Sequence, residues 1–252
     1  MTIGSARSVR VLVTGGGSGP GRAFAEALGA AGLSVVVAGR AQDHLAETVR
    51  DIRVFGGTAT QISLDVMDKA SVARGISQVM DELGGLDVLV NTADAAGPVG
   101  PLWTAEEQEW RGATEAGLFG TALVTQIALP RLAGRVVNVV SRGSKADRSL
   151  EGVFAAAKSA VTSLTASLAR ELRQSGRVAI AFDPGWGDWT SEARDQAAED
   201  ALVAVVLGAA DNLNGRCVSV SDVVDLWGGE VDTSARGRAL TRVQAEHGQQ
   251  IG

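Results

Sequence analysis

The chain contains no tyrosine, a single cysteine and two histidines among its 252 residues. The first absence excludes a phenolic proton donor anywhere in the molecule. A lone Cys217 excludes an intrachain disulfide and any metal site built from several thiolates, and His44 and His247 lie too far apart in sequence to form a ligand motif. No metal is expected. Positive charge is in deficit: a formal net charge of -6 argues against a nucleic-acid partner. Long apolar runs are missing as well. The start, MTIGSARSVRVLVTGG, has no apolar stretch followed by a cleavage site, and the longest later run, ALVAVVLGAA, is too short to span a bilayer. A soluble, reducing, cytoplasmic setting is expected.

What the chain has is 45% hydrophobic residues and 32 glycines, enough for a buried core with many tight turns. Val-rich runs of strand length recur at 9–14, 33–39, 58–64, 86–91, 135–141, 177–182 and 215–221. They are nearly continuous in apolar residues, which suits parallel strands covered on both faces. Between them lie segments such as GRAFAEALGAAG and DKASVARGISQVMDELGG, with helical spacing of apolar residues and glycine at the exit. The alternation predicts an α/β fold: a doubly wound parallel sheet of about seven strands with helices on both faces, as one domain over residues 1–252.

The first predicted strand runs into TGGGSGPGRAFAEAL, residues 14–28. Gly15, Gly19 and Gly21, with Gly17 and Ser18 between them, let the backbone turn tightly and approach a pyrophosphate at the N-terminus of the following helix. Pro20 fits there because the first helical turn has no use for the missing N–H. After the second strand no Asp or Glu is placed to accept hydrogen bonds from a ribose 2′-hydroxyl. Arg40 stands there instead, 19 residues beyond Gly21, and a cation at that point favours a 2′-phosphate, hence NADP(H) over NAD(H).

Over nearly its whole length the chain resembles a short-chain dehydrogenase/reductase, a family with a Rossmann-type fold. The TGxxxGxG motif is present as Thr14, Gly15, Gly19 and Gly21, and the Asp-Val that contacts adenine as Asp65 and Val66. The NNAG tetrapeptide becomes Asn91-Thr92-Ala93-Asp94, the Ser after the fifth strand is Ser141, the Lys is Lys158, and the Pro-Gly after the sixth strand is Pro184-Gly185. The resemblance implies a nicotinamide cofactor held by these residues, Asn91, Ala93 and Lys158 included. It also implies a small carbonyl or alcohol substrate.

Four positions depart from the family's pattern. A step of thirteen residues from Ser141 reaches Phe154 where the family has its catalytic Tyr, and Gly117 in EWRGATEAGLFGT stands at the relay Asn. Asp94 replaces a glycine beside the cofactor path, and Trp189 stands where a Thr usually bonds the carboxamide, with Thr190 next to it. Losing one positioned general acid costs on the order of 100- to 10,000-fold in rate. With donor and relay lost together, the family's ordinary mechanism is not expected to operate.

Replacement donors are Lys158, whose burial beside Phe154 would favour the neutral amine, and Arg142, Lys145 or Asp147 in the charged loop SRGSKADRSLEG. Lys158 could instead serve only as the ribose ligand, and loop charges are solvated by default. Ser141, Phe154, Trp186 and Trp189 are the expected substrate pocket, the two indoles suiting a flat or apolar molecule. Three classes follow: an NADP(H)-binding oxidoreductase of unusual mechanism, a non-redox cyclase, isomerase or lyase on the same scaffold, or a catalytically silent subunit of an active relative. The first leads because the adenine half, Ser141 and Lys158 are intact. Segments 106–130 and 152–174, rich in small residues and paired across a two-fold axis in the family, predict a homodimer or homotetramer.

Overall fold

The computed structural model describes residues 8–95, 97–141, 151–185 and 195–227. Seven strands form one sheet in the order β3-β2-β1-β4-β5-β6-β7, and every pairing is parallel. They are β1 (Arg10–Thr14), β2 (Ser34–Gly39), β3 (Thr58–Ser63), β4 (Leu86–Asn91), β5 (Leu132–Val139), β6 (Val178–Asp183) and β7 (Cys217–Ser219). The helices are α1 (Gly19–Ala30), α2 (Gln42–Val54), α3 (Lys69–Leu83), α4 (Glu107–Thr114), α5 (Thr121–Ala128), α6 (Gly152–Leu172), α7 (Gln196–Val206) and α8 (Val220–Trp227).

The sheet is covered on both faces, which explains why its central strands carry no polar alternation. Phe24, Leu28, Leu45, Ile52 and Leu202 pack with Val11, Val35 and Val90 on one side. Ile76, Val79, Val124, Leu168 and Leu172 pack with Leu12, Val36 and Leu89 on the other. Phe24 meets Phe182 edge-on, with ring centroids 6.1 Å apart. At the amino-terminal edge of β1 the buried Arg10 guanidinium lies 2.6 Å from Asp87 and bonds the Gly84 carbonyl at 2.8 Å. Burial pushes the Asp87 carboxyl up, but hydrogen bonds from the Arg10 side chain and backbone outweigh it and hold the group below the usual aspartate range.

Two sequence expectations are corrected in detail. The last strand is three residues rather than seven, because Ser219 and Asp222 bond reciprocally: the Ser219 N–H donates to Asp222 Oδ2 at 2.7 Å and the Asp222 N–H to Ser219 Oγ at 3.2 Å. This capping box starts α8 at Val220 and stops the strand. The helix expected across 106–130 is also not uniform. Between α4 and α5, residues Glu115–Gly120 form a π-type turn, a widening often found at functional sites. Gly120 sits there because a Cβ would come within 2.6 Å of Val66 Cγ2, and Thr121 Oγ1 donates to the Gly117 carbonyl at 2.8 Å.

Candidate active site

The strand order reverses between β1 and β4, since β2 and β3 continue one way and β5 to β7 the other. At the carboxyl ends of these two strands the flanking loops separate, which is where doubly wound sheets bind ligands. A cleft of about 530 Å³ opens there. One arm is walled by Gly39, Arg40, His44, Asp65 and Val66, the middle by Gly15, Gly17, Ser18, Gly19 and Gly21, and the other arm by Thr92, Ala93, Asp94, Ala95, Ala116 and Phe154.

The middle is built by glycine. Gly15 and Gly19 have φ of +67° and +49°, a backbone region that side chains disfavour. Gly21 has a different reason: a Cβ there would collide with the Gly15 carbonyl and with Thr92 Oγ1. Thr14 Oγ1 accepts from the backbone N–H of Thr92 at 3.2 Å and of Ala93 at 3.3 Å, while Thr92 Oγ1 donates to the Thr14 carbonyl. The glycine turn and the loop after β4 are thereby one bonded unit. Ser18 precedes α1 without capping it through its side chain, and Pro20 lies in the first turn. The first-turn N–H groups therefore remain available to an anion.

Arg40 is exposed on the wall of the first arm and, among the described residues, takes part in no ion pair. Arg22, the nearest basic residue in the glycine motif, is by contrast engaged by Glu26, Glu47 and Asp51. Asp65 and Val66 are on the same wall, where the Met67 N–H donates to Asp65 Oδ1 at 3.0 Å. His44, in the first turn of α2, also lines this arm. Sequence reasoning missed it; its signal was its position within one helical turn of Arg40.

Phe154 lines the other arm and is 8% exposed; Lys158, one helical turn on, is 3% exposed and is not among the residues that line the cleft. Lys158 Nζ lies 5.4 Å from the centroid of the Phe154 ring, within reach of its face. It also donates to the Val139 carbonyl at 3.1 Å. Its most consequential neighbour is Asp94, whose Oδ2 is 2.6 Å away in an ion pair with side chains only 4% and 13% exposed. Asp94 Oδ1 accepts from the Ala95 N–H at 2.9 Å, and it lies 2.8 Å from where a Cβ on Gly117 would stand. The sequence marked Asp94, Gly117 and Lys158 separately; nothing in their spacing showed that they meet.

Other site residues fall elsewhere. Asn91 is buried, and its amide nitrogen donates to Thr125 Oγ1 at 3.1 Å and Asn138 Oδ1 at 2.8 Å, so its side chain binds the sheet to α5 and does not line the cleft. Ser141 is buried just beyond the end of β5. Pro184 and Gly185 follow β6, with Gly185 at φ +73° and its N–H donating to Asp183 Oδ1 at 3.0 Å. Neither pair member lines the cleft. Arg142, Lys145, Asp147, Trp186, Trp189, Thr190 and His247 lie outside the described residues. Among the described residues no group of three or more His, Cys, Asp or Glu could hold a metal, and no helix is long and apolar enough to cross a membrane.

Residues 9–201 match the family model for short chain dehydrogenases. A cis-4-hydroxycyclohexanecarboxylate dehydrogenase of Sinomonas cyclohexanicum is 36% identical over 74% of this chain and 76% of its own. An L-2,3-butanediol dehydrogenase of Corynebacterium glutamicum is 32% identical over 69% and 70%. A short chain dehydrogenase of Pseudocercospora fijiensis is 34% identical over 72% of this chain, and the match spans 60% of that longer protein. Among solved structures, a short chain dehydrogenase from Mycobacterium smegmatis superposes with a TM-score of 0.76 at 27% identity, covering 85% of this chain and 92% of that one. The sheet order, the bonded glycine turn and these matches agree, and the chain belongs to the short-chain dehydrogenase/reductase family of oxidoreductases.

Proposed function

We propose that this protein is an NADP(H)-binding oxidoreductase that acts on a small alcohol or carbonyl compound without a tyrosine proton donor. The observation that carries the reading is Arg40, which forms no ion pair among the described residues, on the wall of a cleft that continues past the N-terminus of α1 to Phe154. A dinucleotide fits this shape: Arg40 and Asp65 take the adenosine end, and Gly15 to Gly21 with α1 take the pyrophosphate. Bound there, the cofactor supplies hydride exchange. The chain's own part is to orient the substrate with Ser141 and to hold Lys158 beside Phe154. Relatives that act on a hydroxycyclohexanecarboxylate and a butanediol support a hydroxyl or keto group as the reacting centre. No nucleic acid or membrane enters the reading.

Calorimetric titration tests the cofactor choice. NADPH should bind about ten- to a hundredfold more tightly than NADH, and Arg40→Ala should erase most of that ratio by removing a charge-assisted contact to the 2′-phosphate. An unchanged ratio would take Arg40 out of the site.

Assembly belongs to the same proposal. Phe119 and Trp110 are exposed on the α4–α5 run, at 63% and 38%, and this apolar surface suits burial against a second copy. A homodimer or homotetramer is expected by light scattering at micromolar concentration. A strict monomer would favour the reading as a subunit that needs a different, active relative.

A second reading keeps the fold and drops the redox step: a non-redox enzyme or a silent subunit. The ion pair between Lys158 and Asp94 supports it, because the lysine expected at the nicotinamide ribose already has a partner. Cofactor binding without turnover of any ketone, quinone or alcohol would favour this reading.

A further inference from the structure

Of the two strands that end the sheet, β7 is three residues long and β3 is six. The longer edge is open. Gly39 is the partner of Ser63 in the parallel register, and the Leu64 N–H donates to the Gly39 carbonyl at 3.0 Å, so the alternate residues Thr58, Thr60 and Ile62 carry the backbone bonds to β2. The N–H and C=O groups of Ala59, Gln61 and Ser63 therefore point away from the sheet. Such a row is a template for pairing with another chain. The strand, TATQIS, is half β-branched and holds no proline, lysine or other charge, the devices that commonly blunt an edge.

The charge comes instead from the helix before it. Arg53 stands in the last turn of α2, and its Nε and Nη2 both donate to the Ala59 carbonyl, at 3.0 and 2.7 Å. Both lone pairs of that oxygen are then engaged. Among the described residues no acid pairs with Arg53, so its charge stays on the edge uncompensated. Beside it Val54 and Phe55 are 72% and 82% exposed, which sets an apolar patch next to the open edge. The cleft is elsewhere: its walls include neither Arg53 nor any residue from 58 to 63.

We propose that Arg53 guards this edge and keeps β3 from pairing with the β3 of a second copy of the chain. A second copy is the fitting partner because both edges then bring the same β-branched strand, and an antiparallel two-fold pairing satisfies the outward N–H and C=O groups of each. Arg53 opposes that pairing twice. Its guanidinium occupies the Ala59 carbonyl, and a two-fold seam would bring two uncompensated cations together.

The test is sedimentation velocity of the full chain over a range of concentrations, with hydrogen exchange on the same samples. Arg53→Ala should associate beyond the wild-type assembly, with an association constant raised by about tenfold or more, and the amides of Ala59, Gln61 and Ser63 should gain protection as concentration rises. Adding Gln61→Pro should restore wild-type behaviour, because the proline deletes an N–H that points away from β2 and leaves the ladder intact. Adding Phe55→Ser should leave most of the association in place. If Arg53→Ala does not fold, Arg53→Gln, which keeps a donor and drops the charge, takes its place with the same expectations. An Arg53 variant that sediments as wild type at every concentration overturns the proposal. So does association that Phe55→Ser abolishes and Gln61→Pro does not, since it would then belong to the apolar patch and not to the strand edge.

Discussion

Phe154→Tyr, made alone, is expected to leave NADPH-dependent reduction of activated ketones and quinones within about threefold of wild type, although a positioned general acid is ordinarily worth 100- to 10,000-fold. A phenol in the family's arrangement depends on a lysine that lowers its pKa. Here Lys158 is already held by Asp94 at 2.6 Å and by the Val139 carbonyl at 3.1 Å, so its charge is compensated before a phenol arrives. The new hydroxyl would also enter a place shaped for a phenyl ring that is 8% exposed.

Adding Gly117→Asn does not repair this. A side chain at 117 begins 2.8 Å from Asp94 Oδ1, so the amide and the carboxylate compete for one volume. The three positions therefore form a unit, and single restorations are not additive. Only the triple change Phe154→Tyr, Gly117→Asn and Asp94→Gly supplies a donor, a relay and a lysine released from Asp94 together. It is expected to raise ketone reduction by about two to three orders of magnitude over wild type. The assay is NADPH oxidation across the single, double and triple variants. A hundredfold gain from Phe154→Tyr alone would show that the remaining site is competent, and that Asp94 does not compete for Lys158.

The same residues mark the limit of what the sequence makes legible. Parallel strands show themselves because Leu12, Val36 and Leu89 need cover on one face while Val11, Val35 and Val90 need it on the other, and a continuous apolar run satisfies both. The glycine turn is legible for a similar reason: Gly15 and Gly19 answer to local backbone geometry, which is written in adjacent residues. Asp94 and Lys158 answer to each other across 64 positions of chain, and Gly117 to both. No local periodicity encodes such a meeting. Read singly, Asp94 looked like an intrusion beside the cofactor path and Gly117 like an empty relay position; together they are one arrangement. Asn91 has a further long-range tie of this kind: its amide bonds Asn138 in β5 and Thr125 in α5, contacts that its place in the tetrapeptide does not announce.

Gly21→Ala is expected to reverse the usual sign of a glycine-to-alanine change in a helix. In an unencumbered helix interior alanine is better by about 1 kcal/mol, because glycine has more backbone entropy to lose. Gly21 lies in the first turn of α1, but its missing Cβ is the space into which the Gly15 carbonyl and Thr92 Oγ1 fit. The carbonyl is backbone and cannot swing aside as a side-chain tip can. Moving Thr92 would strain its hydrogen bond to the Thr14 carbonyl, and with it the tie between β1 and the loop after β4. Relief must come from displacing α1 from the glycine turn, which also spoils the anion site at its N-terminus. The expected cost is about 2–4 kcal/mol, or a melting temperature lower by about 5–10 °C, with NADPH binding lost. Gly84→Ala is the control: Gly84 ends α3 at φ +66° with nothing within 4 Å of its Cβ position, so its cost of about 1 kcal/mol is backbone strain alone and NADPH affinity should not change. Thermal melting with and without NADPH separates the two effects. A Gly21→Ala protein that melts at or above the wild-type temperature would show that the turn yields without cost, and that the close approach of α1 is not what holds the cleft in shape.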